Sequence, residues 1–397
     1  MQSQRVADGS ELNRKSIERK GSFADGGLEA ASETGDEIVW GALQMLIRAL
    51  VLVTMLAGSS SWAADPGKEP AGPDPLFASN DLLEITLSGP FQSIARDNDD
   101  KQQQRPGTLT FSDATGEHTV PVRLRARGKS RRVRDVCSFP PIRLNLAKKD
   151  VKDTLFEKQD KLKLVAYCKT SASYEQLVLK EYLAYRILNL LTDTSFRVRL
   201  MRVNYVDTDR KDKVTTKPSF VIEHEDRVAR RLGLEPLSVA KVAPSAHEPA
   251  AAALAELYQY LISNTDFSFL AGPVGEACCH NSVLFSNAAG EVIPIPYDFD
   301  VSGLVDAPYA VPPDGLGQRN VRDRKYRGFC RGTEYLDAAV ETIQSKRQAI
   351  YALVDEVEGF SDRTRRDLSR FIDEFYGDLD DSESFEENIA EACRSLR

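Results

Sequence analysis

The order of strand-like and helix-like stretches limits the folds open to this chain more than any other feature of its sequence. Between residues 81 and 224, short runs of alternating character predict strands, and a single long helix interrupts them. From about residue 249 onward the pattern is mostly helical. Segregated strands and helices favour an α+β fold. The predicted strands lie at 81–88, 108–112, 118–127, 140–146, 160–168, 196–206 and 218–224.

This segregation predicts a two-lobed protein. Residues 81–247 would form a β-rich N-terminal lobe with one main helix, and residues 248–397 an α-rich C-terminal lobe. A ligand is expected in the cleft between the lobes, because binding sites often lie where two packed units meet. Besides a helix at about 249–263, the C-terminal half has predicted helices at 333–357, 361–377 and 382–396.

The run Ser173-Tyr174-Glu175-Gln176 predicts a capping box at the start of the main helix of the first half. Its apolar residues recur at the spacing of a buried helical face. Glu181 lies within this helix, where it can meet a lysine of the preceding predicted strand, 160–168.

Residues 264–303 hold the densest set of residues suited to chemistry. Asp266 is followed by His280-Asn281, an apolar run, a turn at Ala289-Gly290 and a second apolar run. The second run ends at Asp298-Phe299-Asp300. The two runs predict a hairpin, which would bring Asn281 close to Asp298 and Asp300.

Carboxylates and an amide at one place can hold Mg²⁺ against phosphate groups, and a further carboxylate can accept the proton of a hydroxyl. The alternative is that these residues only cap turns, as Asp and Asn often do.

A basic stretch on the strand at 118–127 suggests an anion site. Arg123, Arg125, Arg127 and Lys129 alternate, so all four face the same side, and a glycine turn with further arginines follows. Such a face suits phosphate binding. It equally suits a solvated edge strand that uses charge to prevent pairing between sheets.

The N-terminus predicts export. Residues 1–44 are predicted to be a disordered upstream extension, because they are mainly polar up to residue 37 and translation is expected to start at Met45. Residues 45–63 have the basic start, apolar centre and small residues of a signal peptide, cleaved after Ala63. An uncleaved signal anchor is the alternative. A Pro/Gly-rich linker at 64–80 would follow, and no membrane span is expected after cleavage.

Composition and cysteines agree with an exported globular protein. The 397 residues are 42% hydrophobic and 28% charged, and the net charge of −8 argues against general nucleic-acid binding. All six cysteines follow the predicted cleavage site, which favours disulfides. The predicted pairings are Cys137–Cys168 and Cys279–Cys330. A zinc site from Cys278, Cys279, His280 and Cys330 is an alternative, although its spacing matches no common template.

Several of these elements together resemble the CotH kinase-like family of spore-coat proteins. They are the turn Arg127-Gly128-Lys129-Ser130, then Asp266 followed at some distance by His280-Asn281, and the run Tyr297-Asp298-Phe299-Asp300 with Gly303. The similarity spans about residues 120–305. It implies an atypical protein-kinase-like fold and transfer of phosphate from ATP to protein hydroxyls.

The resemblance also implies roles for individual residues. Asp266 would orient or deprotonate the acceptor hydroxyl, and Asn281, Asp298 and Asp300 would bind Mg²⁺ or Mn²⁺. Lys163 would pair with the ATP phosphates and with Glu181, with Lys161 or Arg143 as alternatives for that lysine. Phosphate contacts would also come from the basic strand, through Arg127 and Lys129. The acceptor would be an unidentified protein or envelope component.

The sequence departs from ordinary kinases, because it has neither a G-x-G-x-x-G loop nor an H-R-D motif. A second hypothesis is therefore a binding or structural protein of the cell envelope without catalytic turnover. A third takes Asp298 and Asp300 as the D-x-D metal motif of a nucleotide-sugar transferase.

Overall fold

The computed structural model describes residues 74–97 and 102–396, and its first seven strands close into a barrel. Around the barrel the order is β1-β2-β3-β4-β5-β7-β6. Neighbouring strands are antiparallel except β1 and β6, whose parallel pairing closes the barrel. The strands are β1 (Leu83–Gly89), β2 (Arg105–Asp113), β3 (Gly116–Ala126), β4 (Ile142–Leu146), β5 (Lys161–Val165), β6 (Val198–Asp207) and β7 (Lys213–Ile222).

Side-chain alternation divides each barrel strand between an inner and an outer face. Leu124, Leu144 and Leu162 are in register across β3, β4 and β5, and all three are fully buried in the barrel core. Their neighbours Arg125, Arg143 and Lys163 are in register on the opposite face. The apolar residues therefore fill the barrel, and the basic residues lie along its outside.

Helices and a small second sheet pack around the barrel. In that sheet β9 (Ser282–Ser286) lies between β10 (Val292–Pro296) and the short β8 (Glu235–Pro236). The described residues contain eight α-helices: α1 (Phe91–Ala95), α2 (Ala172–Leu191), α3 (Glu225–Leu232), α4 (Pro249–Leu261), α5 (Thr333–Ser345), α6 (Arg347–Glu356), α7 (Asp362–Asp380) and α8 (Ser382–Phe385).

The predicted two-lobed, kinase-like fold is wrong. The strands form a closed barrel, and a continuous apolar cluster joins its β5–β7 side to both the central and the C-terminal helices. Val165 and Phe220 of the barrel belong to the same cluster as Phe299 and Phe375. Alternation marks which residues face inward, but it does not distinguish an open sheet in one lobe from a barrel closed by the pairing of β1 with β6.

Local predictions fared better than the overall fold. Each of the seven predicted strands between residues 81 and 224 is present, and the hairpin of β9 and β10 is confirmed by its antiparallel register. The predicted helix at 333–357 is two helices that meet at Lys346. The predicted helix at 382–396 is wrong in length, since α8 ends at Phe385 and a single π-helical turn, Glu386–Ala390, follows it.

The N-terminal predictions mostly lie outside the described residues, including the extension at 1–44 and the signal peptide at 45–63. Only the end of the predicted linker is described. There a short 3-10 helix, Pro75–Phe77, packs Leu76 and Phe77 into the barrel core. None of the helices in the described part of the chain is long and apolar enough to cross a membrane.

The six cysteines form three disulfide pairs, which are compatible with a secreted protein. The predicted Cys137–Cys168 bridge is confirmed. The predicted Cys279–Cys330 bridge is wrong, because Cys279 pairs with its neighbour Cys278 and Cys330 pairs with Cys393. The C-terminal segment returns to residue 330 through a backbone hydrogen bond of 2.9 Å from Cys330 to Arg394, a contact that the sequence pattern does not indicate.

Candidate functional site

The β9–β10 hairpin places the two ends of residues 264–303 side by side. Ser282 is in register with Pro296, so the residues just outside the hairpin, Asn281 and Tyr297, are also neighbours. The Tyr297 amide donates a hydrogen bond of 3.1 Å to the carbonyl oxygen of Asn281. Asp298 directly follows Tyr297 and therefore lies close to Asn281, as the hairpin prediction requires.

Asp266 joins this pair through its own hydrogen bonds. The Asn281 Nδ2 donates to the backbone oxygen of Asp266 at 2.7 Å and to its Oδ2 at 2.9 Å. The His280 Nε2 lies 2.7 Å from the Asp266 Oδ1. This hydrogen bond raises the pKa of His280, although burial opposes it. Both carboxylate oxygens of Asp266 are thus oriented by neighbours, while the Asp266 side chain stays 36% exposed.

Two residues of the site adopt left-handed backbone conformations. The φ angles of Asn281 and Asp298 are 49° and 64°. Asn and Asp tolerate this region better than most residues, although it costs energy in any non-glycine residue. The Asp298 amide is held in this geometry by a hydrogen bond of 2.8 Å to the Tyr185 hydroxyl of α2. The left-handed conformation therefore turns the chain at Asn281 and Asp298, two of the residues expected to bind a metal ion.

A buried arginine from the turn after β3 lies among the carboxylates. Arg131 contacts Glu181 of α2 at 3.1 Å, Asp300 at 3.2 Å and Asp298 at 3.6 Å. The Tyr309 hydroxyl donates a further hydrogen bond to Asp300 at 3.1 Å. We call Arg131, Glu181, Asp298 and Asp300 the acidic cluster. It joins the barrel, α2 and the segment after β10.

The acidic cluster has three carboxyl groups and one guanidinium group. Burial, opposed by Arg131 and reinforced by the Asp300 and Asp298 carboxylates, raises the pKa of Glu181 to about 8. Burial also raises the pKa of Asp300, with contributions from Asp298 and Asp266. One guanidinium group therefore does not neutralise three carboxyl groups, and the cluster retains affinity for a proton or another cation.

A cationic face lies on the outside of the barrel. It is formed by Arg125, Arg143 and Lys163 of β3, β4 and β5, and by Arg127, which directly follows β3. Burial lowers the pKa of Arg143, and so do Arg125 and Arg127. Burial lowers the pKa of Lys163 as well. The nearest acid is Glu225, at the start of α3, whose Oε2 lies 3.4 Å from the Lys163 Nζ.

Two donors on this face have no hydrogen-bond partner among the residues that the structure describes. The Arg125 Nε and the Asn145 Nδ2 are both buried and unpaired within the described residues. Arg125 pairs in register with Arg143, and Asn145 is two residues further along β4. A buried donor without an acceptor costs about 1–3 kcal/mol, so this face is suited to an anion that supplies acceptors.

The cationic face and the acidic cluster adjoin. Tyr297 interacts electrostatically with Asp298 of the cluster and with Arg127 of the face, and burial together with Asp298 raises its pKa to about 12. The Lys163 Nζ lies 5.0 Å from the centre of the Tyr297 ring. Positive groups suited to phosphate and carboxylates suited to a metal are therefore next to one another.

The predicted pairing of Lys163 with Glu181 is wrong. Lys163 contacts Glu225, whereas Glu181 contacts Arg131. Lys129 is mostly exposed and pairs with Glu276, so it lies at the rim of the site. The structure does bring together Asp266, Asn281, Asp298 and Asp300, with Arg127 and Lys163 nearby.

The oxygen donors of the site fit Mg²⁺ or Mn²⁺ in type but do not form a complete cage. No group of three His, Cys, Asp or Glu side chains is arranged to hold a metal by itself in the described ranges. Mg²⁺, however, is usually held by one or two carboxylates together with substrate phosphates. The site therefore fits a metal–nucleotide complex better than a bare ion. The zinc alternative fails, because its three cysteines are oxidised.

Sequence reasoning missed one buried member of the site, Arg131, which is only 6% exposed. Arg131 is one of several arginines after β3, and no local pattern distinguishes it from its exposed neighbour Arg134. Glu225 was also missed as the partner of Lys163. It is the first residue of a helix, where acidic residues are common, so the sequence contained no sign of this contact. The contact of His280 with Asp266 was also not predicted, since the sequence suggested His280 only as a zinc ligand and as part of the motif.

Comparison of the sequence with models of protein families and with the sequences of curated proteins found no match.

Proposed function

We propose that this protein transfers a phosphoryl group from a metal-bound nucleotide to a hydroxyl group of a protein. The observation that supports this most is the convergence of Asp266, Asn281, Asp298 and Asp300 next to a cationic face with unpaired donors. The proposal keeps the activity, the ATP and the Mg²⁺ or Mn²⁺ that the CotH-like resemblance implies. It does not depend on a kinase-like fold.

In this proposal the cationic face binds the phosphate chain. Arg127, Arg143 and Lys163 would contact its oxygens, and the Arg125 Nε would gain an acceptor. The phosphate oxygens would supply acceptors to these buried donors, and this would make nucleotide binding more favourable. The nucleotide's terminal phosphate would then lie toward Asp298, because Arg127 is near Tyr297 and Asp298.

Asp266 would act as the base. Its carboxylate would accept the proton of the acceptor hydroxyl, whose oxygen would form a bond to the γ-phosphorus as the bond to the nucleoside diphosphate breaks. His280 and Asn281 hold both oxygens of this carboxylate and so fix its orientation. Asp298 and the Asn281 Oδ1, with Asp300 near them, would hold Mg²⁺, which would supply positive charge next to the phosphates.

A binding protein without turnover is the second candidate. The observation in its favour is Arg131, whose guanidinium group occupies the space among Glu181, Asp298 and Asp300. An arginine in this place can replace a metal ion and stabilise the carboxylates permanently. Such a protein would bind an anion on the cationic face and transfer nothing.

The test compares thermal unfolding of the wild-type protein and Asp298→Ala, with Mg²⁺ or Mn²⁺, with and without ATP. A ligand at a hundred times its Kd stabilises the folded state by about 2.7 kcal/mol. We expect a stabilisation that needs both metal and ATP and disappears in Asp298→Ala. Little effect of metal alone is expected, because the cage is incomplete.

The variant Asp266→Asn separates the two candidates. Under the phosphotransfer proposal it retains the metal–ATP stabilisation and loses transfer of labelled γ-phosphate, to itself or to envelope proteins, by about 100-fold or more. Wild-type protein that binds ATP without any transfer would favour the binding protein. Absence of any nucleotide effect in the wild type would refute both the nucleotide and the metal assignment.

A further inference from the structure

A second concave surface lies between the N-terminal halves of α2 and α7. It is a cavity of about 690 Å³, within the range of small-molecule sites. Hydroxyl groups of Ser173, Ser361 and Thr364 contribute to its wall. Neither the acidic cluster nor the cationic face contributes a residue to this lining.

Four cationic and two acidic side chains line the cavity. The acids, Asp306 and Asp367, are already paired: Arg322 contacts them at 3.6 and 3.1 Å, and Lys180 contacts Asp367 at 3.6 Å. Lys180 itself is only 10% exposed, and burial lowers its pKa. Arg322 and Lys180 thus neutralise Asp306 and Asp367. The other positive side chains of the cavity have no acidic partner in its lining.

That remaining charge comes from Arg363, Arg366 and Arg370 of α7. All three are exposed, and none has an ion pair or side-chain hydrogen bond within the residues that the structure describes. Their spacing of three and four residues aligns them on one side of the helix, over about 10 Å of its axis. Arginines on a convex surface would indicate only a solvated face. Here they border a concavity that has a nearly buried lysine in its wall.

We propose that this cavity binds a small molecule with two or more phosphate groups. Arginine forks match phosphate oxygens in pairs, and the hydroxyl groups of the wall add neutral donors. The length of the arginine row exceeds a single phosphate, so the occupant has at least two anionic groups. This site is independent of the proposed phosphotransfer.

The test is isothermal titration calorimetry with inorganic pyrophosphate, without divalent metal. All proteins have Arg127→Gln and Lys163→Met in the background, so binding at the cationic face is weakened equally in every protein compared, whether or not the proposed function is correct. Arg366→Gln with Arg370→Gln removes two arginines of the cavity. Lys148→Gln with Lys152→Gln is the control, since it removes two exposed positive charges after β4.

The background protein is expected to bind pyrophosphate, the arginine pair variant at least about tenfold more weakly, and the lysine control within about twofold. Orthophosphate should bind more weakly than pyrophosphate. No binding of pyrophosphate by the background protein, or equal losses in both pairs of variants, would overturn the proposal. An acidic peptide that binds more tightly than pyrophosphate, and depends on the same arginines, would overturn the phosphate assignment.

Discussion

At the scale of single residues, Arg131 is the group on which the candidate site depends most. It is 7% exposed and contacts three carboxylates that belong to α2 and to the segment after β10. A buried charge network of this kind contributes little net stability when intact, but its disruption leaves uncompensated charges. Arg131 therefore holds together three carboxyl groups that would otherwise repel one another.

We expect Arg131→Met to lower the free energy of unfolding by about 3–5 kcal/mol, because three carboxyl groups lose their common partner. Chemical denaturation at neutral pH measures this change. Arg134→Met, at an exposed position of the same segment, is the control and should change stability by less than about 0.5 kcal/mol. A loss below about 1 kcal/mol for Arg131→Met would show that the carboxylates do not need it.

His280 predicts a pH-dependent contribution to stability. Its pKa is raised by the hydrogen bond to Asp266, so the folded state binds the proton more tightly than the unfolded state. The stabilisation is complete below the unfolded value of 6.5 and is lost as pH rises through the higher folded pKa. The stability difference between wild type and His280→Gln should therefore be larger at about pH 5.5 than at about pH 9.

The control for His280 uses the partner carboxylate. In an Asp266→Asn background the hydrogen bond to a charged acceptor is gone, so His280→Gln should have nearly the same effect at both pH values. An undiminished pH dependence in that background would assign the pKa shift to another group.

At the scale of elements, the segment after β10 is positioned by a close backbone contact at Gly303. The Gly303 amide donates to the Ser263 carbonyl at 2.9 Å. A Cβ at this glycine would lie 2.4 Å from the Val321 carbonyl oxygen and 2.7 Å from the Ser263 Cβ. The end of α4 and residues 298–305 therefore approach each other only because residue 303 has no side chain.

We expect Gly303→Ala to destabilise the protein and to weaken metal–nucleotide binding together, because the added methyl group must displace the segment that includes Asp298 and Asp300. Overpacking of this kind costs about 1–3 kcal/mol. Gly377→Ala is the matched control, since a Cβ there meets nothing within 4 Å. It lies inside α7 and should be neutral or stabilising by up to about 1 kcal/mol. Thermal unfolding and the ATP shift compare the two variants, and equal effects would contradict the role of the contact.

At the scale of the whole molecule, the C-terminus is fastened by the Cys330–Cys393 disulfide, which spans 63 residues of sequence. It closes a loop containing α5, α6, α7 and α8. In the chain-entropy model a crosslink stabilises by restricting the unfolded chain, and the effect grows with loop length. The helical layer over the barrel therefore depends on a covalent link as well as on its apolar contacts.

Cys330→Ser with Cys393→Ser should lower the free energy of unfolding by about 2–4 kcal/mol. Cys278→Ser with Cys279→Ser is the control, because a bridge between adjacent residues restricts almost no loop. Denaturation under oxidising conditions measures both. If only the Cys278→Ser, Cys279→Ser variant lost stability, restriction of the unfolded loop would not explain the stabilisation by these disulfides.

The sequence alone was sufficient to predict those parts of the structure that depend on local interactions. The strands from Leu83 to Ile222 follow from alternation, and the turn at Ala289-Gly290 led to the correct hairpin. That hairpin was enough to predict the approach of Asn281 to Asp298, since the residues at the open end of a hairpin lie opposite each other. The roles of these residues in phosphoryl transfer, and the resemblance to the CotH-like family, remain predictions.

Only the tertiary structure decided which distant residues meet. Closure of the barrel depends on β1 pairing with β6, and the charge pattern of the site depends on Arg131 meeting Glu181 and on Lys163 meeting Glu225. Side-chain periodicity and turn chemistry act over a few residues, so they determine strands, helices and the hairpin. The partners of a buried charge are set by the packing of whole elements, because the energetic cost of burying it can be met by any opposite charge that the fold brings close.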